Sequence, residues 1–150
     1  MGVKPLFTRS SIAQEFKLIQ QRHDEAIIRG LNRVGLQFVI DARSSDTYKD
    51  QTGNLRSSIG YIILHSGKEL KSDFTLADTG SDKATGKAAG EAIAAEVAAK
   101  HPKGFVLIVV AGMNYAAAVE AMGYDVLTNS AFKAEEAVKK MQLSLTKLSV

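Results

Sequence analysis

Ile12, Phe16, Ile19, Ile27, Leu31, Val34 and Phe38, with His23 in step, recur at spacings of four and three. That is one stripe of an amphipathic helix. It predicts a long first helix, capped by Ser10 or Ser11, with Gln14 or Glu15 at the capping-box position, ending near Arg43. Gly30 and Gly35 weaken it and mark close packing or a slight bend. The chain then turns polar. "TGNLRSSI" begins as turn chemistry at Thr52-Gly53-Asn54 and continues as a short helical turn from Leu55 to Ile59. "IGYIILHS" reads as a strand, Ser66-Gly67-Lys68 as a hairpin turn, and "ELKSDFTLAD" as the returning strand, although Ser72 breaks its alternation.

"TGSDKATGKAAGE" is small, polar and glycine-rich, and reads as a loop. The alanine-rich helix "GKAAGEAIAAEVAAKHP" follows, with Ile93 and Val97 on one face and Pro102 as its stop. "GFVLIVVAG" is a continuous apolar run and reads as a central strand. Phe132, Ala137 or Val138, Met141, Leu145 and Leu148 make the stripe of a C-terminal helix, capped by Thr128 or Asn129. The sum is one α+β domain over residues 1–150, with the long N-terminal and the C-terminal helix packed on a small mixed or antiparallel sheet.

Composition narrows what such a domain does. With no cysteine there is no disulfide, thiolate metal site or cysteine nucleophile. The net charge of +3 and pI near 9.1 raise nucleic-acid binding, but Lys and Arg are spread along the chain among the acids. His23, His65 and His101 lack ligand spacing. His23 falls on the helix stripe and is expected packed or partly buried, and His101 suits a helix C-terminus. "GSDKATGK" departs from a phosphate loop in spacing and in the Ala88 that follows its lysine. There is no G-x-S-x-G elbow, and no apolar run is long enough to cross a bilayer. The start lacks a secretory h-region, so the expected place of synthesis and folding is a cytoplasm.

One stretch keeps a chemical option open. "NYAAAVEAMGYDVL" sets Tyr115 and Glu120 among small residues after the apolar run. A Tyr–Glu pair does acid–base work when its pKa values are shifted, and a small hydrolase would use it so. Equally, Tyr115 packs its ring and Glu120 accepts turn or arginine donors, Arg56 among them.

"TGNLRSSI" and "NYAAAVEAMG", taken together and followed by a C-terminal helix, resemble the minor tail-component family of long-tailed bacteriophages and prophages. These are the small neck, tail-completion or head–tail joining proteins. Members carry a "TGxLRxSI" turn-and-strand after a long first helix and a "YAxxVExG" stretch before the last helix. Here Glu120 is followed by Ala-Met-Gly-Tyr, and no proline precedes the last helix. The resemblance implies a virion structural protein without catalysis or cofactor, made in the cytoplasm of a bacterial host. It implies a homo-oligomeric ring at the head–tail junction or the top of the tail tube. The partners would be the connector and tail-tube proteins, with DNA passing through the lumen and no membrane. Leu55, Arg56, Ile59, Tyr115, Val119 and Glu120 are then a structural signature, with Arg56 and Glu120 expected to approach one another. Polar loops at residues 44–54 and 78–90 would order at subunit interfaces. A small basic nucleic-acid-binding module is the alternative, and it predicts a contiguous Lys/Arg face.

Overall fold

The computed structural model describes residues 7–44, 50–113 and 126–148. They form helices α1 (Arg9–Arg43), α2 (Asn54–Ser57), α3 (Lys83–Ala98) and α4 (Thr128–Leu148), and strands β1 (Ile59–His65), β2 (Lys68–Asp73) and β3 (Phe105–Ala111). The class is α+β and the sheet is antiparallel, in the order β2-β1-β3. The Ser66-Gly67 corner closes the β1–β2 hairpin with both residues at positive φ, 52° and 75°, as a type I′ turn requires.

The sheet is a middle layer. Ile59, Tyr61 and Ile63 of β1 and Leu107 and Val109 of β3 point towards α1 and α4. Ile62, Leu64, Ile108 and Val110 point the other way, towards α3. Helices therefore cover both faces, which is why both strands read as unbroken apolar runs. The apolar run at 105–111 predicts a central strand, and the structure differs. Among the described residues β1 is central and β3 lies at an edge. A continuous apolar run reports covered faces, not a strand's place in the order.

In α1 the buried positions are Leu31, Gly35, Phe38, Val39 and Ala42. Gly35 lets the helix touch the ring of Tyr61, since a Cβ there would lie 2.6 Å from Tyr61 Cδ2. The Tyr61 hydroxyl donates to Asn32 Oδ1 at 2.7 Å, and burial, helped by Asp73, raises its pKa. The first half of the same stripe is not covered. Phe7, Ile12, Phe16 and Ile19 are exposed, Phe16 to 68%. His23 is exposed as well, contrary to the packed histidine expected there, because the core begins only beyond it. The cap is Thr8 rather than Ser10 or Ser11, and Ser11 replaces Gln14 or Glu15 as its capping-box partner.

Three buried faces differ from the expected ones. In α3 the buried positions are Gly86, Gly90 and Ala94, whereas Ile93 is exposed. In α4, Ala131, Ala134, Val138 and Met141 meet the core while Phe132 is 61% exposed. β2 ends at Asp73, and Phe74 is buried beyond it with Leu70 and Leu76 exposed.

Candidate functional site

The first half of the signature, "TGNLRSSI", builds the corner where α1, β1 and α3 meet. Gly53 enters α2 at φ 75°, and a Cβ on it would lie 2.3 Å from the Thr79 carbonyl oxygen. Gly80, at φ 122°, is pressed in turn against Thr52. Two chain segments thus cross backbone to backbone, joined by Asp82 N–H donating to the Thr52 carbonyl at 3.1 Å.

Asn54 carries the joint further. Its Oδ1 accepts the Gly86 N–H at 3.1 Å, and its Nδ2 donates to Asp82 Oδ2 at 3.4 Å. A residue of the corner therefore satisfies an orphan donor in the first turn of α3. Thr85 Oγ1 donates to the other oxygen of Asp82, and these hydrogen bonds, Thr85 first, hold the Asp82 carboxyl below its ordinary value. Such a carboxylate contributes stability above its unfolded-state pKa, and the contribution is lost as pH falls through the lowered folded value. Asn54→Ala leaves the buried Gly86 N–H without an acceptor. An expected loss of about 1–3 kcal/mol in unfolding free energy follows, read by urea melts.

Leu55 is buried against Val126, with Ala111, Met113 and Leu127 around them. Ser57 Oγ accepts the Ala77 N–H, and Ser58 Oγ donates to the Leu55 carbonyl. Ile59 is fully buried. Arg56 is half-buried, and its backbone N–H donates to Asp50 Oδ2 at 2.7 Å. Arg56 and Arg43 line a polar cleft of about 280 Å³ with Leu76, Ala77, Asp78 and Thr79. Arg43, from the last turn of α1, donates to the carbonyls of Ile59 and Thr75 at 2.8 and 2.6 Å. It ties the helix end to the start of β1 and to the segment that follows β2.

Tyr115, Val119 and Glu120, and with them the expected Arg56–Glu120 approach and the acid–base option, lie outside the described residues. The polar stretch expected as a loop over residues 78–90 is loop only to Asp82, and its second half is the first turns of α3. The Gly86 N–H, which a phosphate loop would aim at a ligand, is taken by Asn54. Sequence reasoning passed over Asp50, Asn54, Ser57 and Arg43. Their partners at Arg56, Gly86, Ala77 and Thr75 are distant in sequence for all but Asp50, and no local pattern records them.

Among the described residues no group of three or more His, Asp or Glu side chains is placed to hold a metal. His65 stacks on Phe105 across β1 and β3 with ring centroids 4.0 Å apart, and His101 lies beyond α3, its N–H on the Ala98 carbonyl. No helix among the described residues is long and apolar enough to cross a membrane.

A second concavity lies on the opposite side of the sheet from α3. It is an apolar groove of about 560 Å³ between α1, α4 and β3, floored by Ile27, Leu31, Leu107 and Val109 and walled by Val138 and Leu145. Glu135 and Lys139 form an ion pair on its rim. No family model matches the chain, and no curated protein and no solved structure matches it.

Proposed function

We propose that the chain is a structural subunit of a bacteriophage or prophage virion, placed in the neck or upper tail. It acts by protein–protein assembly, without catalysis, against copies of itself and the adjoining connector and tail-tube proteins. The observation that carries this reading is the "TGNLRSSI" corner. Its side chains are spent on backbone joints and core contacts, with Ser57, Ser58, Asn54 and Leu55 all buried. A motif so used is a device for holding a shape. The exposed apolar half of α1 adds to it, since a bare stripe of this size marks an interaction surface.

The nucleic-acid alternative draws on the +3 charge. Against it, Arg29, Lys87, Lys100 and Lys139 each sit beside an acid four residues away, which breaks up a basic face. The test is location. Antibody raised against the chain should label the head–tail junction of tailed particles released by a bacterium that encodes it, and the chain should copurify with them. Particles that lack it, with the chain left wholly in the cytosol, would overturn the reading. Retention on DNA that falls steeply with salt would favour the alternative instead.

A further inference from the structure

We infer that the protruding half of α1 is the arm by which one copy binds the next, seated in the α1–α4–β3 groove of its neighbour. This rests on the assembly reading above and names the interface within it. Among the described residues the arm is a convex apolar surface left open and the groove a concave one. Ile12, Phe16 and Ile19 continue the stripe whose later members, Ile27 and Leu31, form part of the groove floor. The arm cannot fill its own groove, because arm and floor belong to one unbroken helix, Arg9–Arg43. A second copy can supply it.

The dimensions agree. At about 1.5 Å per residue, residues 9–22 of the arm span roughly 20 Å. The groove wall from Ala131 to Leu145 on α4 spans roughly 21 Å by the same rise.

Charge orders the two elements. By helical periodicity Glu15 and Arg22 fall on one flank of the arm's stripe, and the groove rim carries Glu135 and Lys139. Running the arm antiparallel to α4 sets Glu15 beside Lys139 and Arg22 beside Glu135. The reverse direction pairs like with like. Within a subunit α1 and α4 are themselves antiparallel, with Gly30 against Met141 and Asp41 near Lys133. The docked arm therefore runs parallel to its host's α1. That is a contact between two different patches, repeated with the same sense from copy to copy, which closes into a ring when its rotation closes.

The absence of cysteine makes the test clean. Glu15→Cys and Lys139→Cys variants, mixed and oxidised, should form the intermolecular disulfide at least about tenfold faster than Ile40→Cys with Lys139→Cys, because docking raises the local concentration. Ile40 is also exposed on α1 but lies outside the arm. Phe16→Glu in the arm should abolish the enrichment. In the cysteine-free chain, Glu15→Lys and Lys139→Glu should each weaken self-association in native mass spectrometry, and together restore it. Equal cross-linking rates, or a double charge reversal no better than the single ones, would overturn the inference and leave the groove to another occupant. Labelled particles without the cross-link would remove the arm and keep the virion role. An enriched cross-link with unlabelled particles would do the reverse.

Discussion

Phe38→Ala is expected to lower the unfolding free energy by about 3–5 kcal/mol. Phe38 is 1% exposed, in the cluster that joins Leu31, Val39 and Ala42 to Ile59, Tyr61 and Ile63. The substitution removes a large ring from the layer between α1 and the sheet. Helix and strands are held in position by several other contacts, Arg43 on Ile59 and Thr75 among them, so the space cannot close fully. Against a total of about 5–15 kcal/mol for a domain, the loss is roughly a fifth or more. At about 2–4 °C per kcal/mol, the melting temperature falls by roughly 10 °C. Phe16→Ala is the comparison on the same helix. Phe16 is mostly exposed, so the melting temperature of the isolated subunit should hardly move. Its effect should appear in association. A calorimetric scan of both variants, with a matching loss in each, would contradict the division of α1 into a core half and a projecting half.

That division shows what the amino-acid pattern discloses and what it withholds. The spacing of Ile12 to Phe38 identifies an apolar face along the whole of α1. It is silent on what covers that face, because Phe16 and Phe38 are equivalent members of one stripe. The β1–β2 hairpin was legible because its turn is local, and Ser66-Gly67 supplies the positive φ that the corner needs. The buried face of α3 was not. Hydrophobicity selected Ile93, whereas α3 approaches the α2–β1 corner so closely at Gly86 and Gly90 that a side chain would collide, and the small Ala94 is buried against the sheet. Absence of a side chain carries no apolar signal. Likewise Phe132 dominates the apolar pattern of α4, yet the small Ala134 is the one that α1 and the sheet bury. In the candidate site the motif stood out in the sequence, but its partners did not. Asn54 on Gly86, and Arg43 on Thr75, each join residues 32 apart in the chain.

Gly86→Ala tests that close contact most directly, because two effects of opposite sign meet at one residue. Alanine favours the helix over glycine by about 1 kcal/mol, so an isolated α3 would gain. In the folded chain its Cβ would lie 2.0 Å from the Asn54 carbonyl oxygen and 2.7 Å from the Asn54 Cα. These are backbone atoms, held by the Gly53–Thr79 crossing and by Asn54's own bonds to Gly86 and Asp82. The helix must therefore back away from the corner. Doing so stretches the Asn54–Gly86 hydrogen bond and opens the contact between Gly90 and the Ser58 carbonyl one turn later. Overpacking costs about 1–3 kcal/mol and the stretched bond about 1 more, which outweighs the propensity gain. A net loss of about 1–3 kcal/mol in urea unfolding is the expected result. Gly30→Ala separates this account from a general intolerance of helix glycines. Its Cβ would also collide, with Met141 Sδ at 2.2 Å, but a methionine side chain moves aside easily. Gly30→Ala should then fall within about 1 kcal/mol of the parent, since the propensity gain offsets the repacking. If Gly86→Ala proves as mild as Gly30→Ala, the corner is more compliant than its geometry says. The "TGNLRSSI" motif would then owe its form to something other than a rigid joint between α2 and α3.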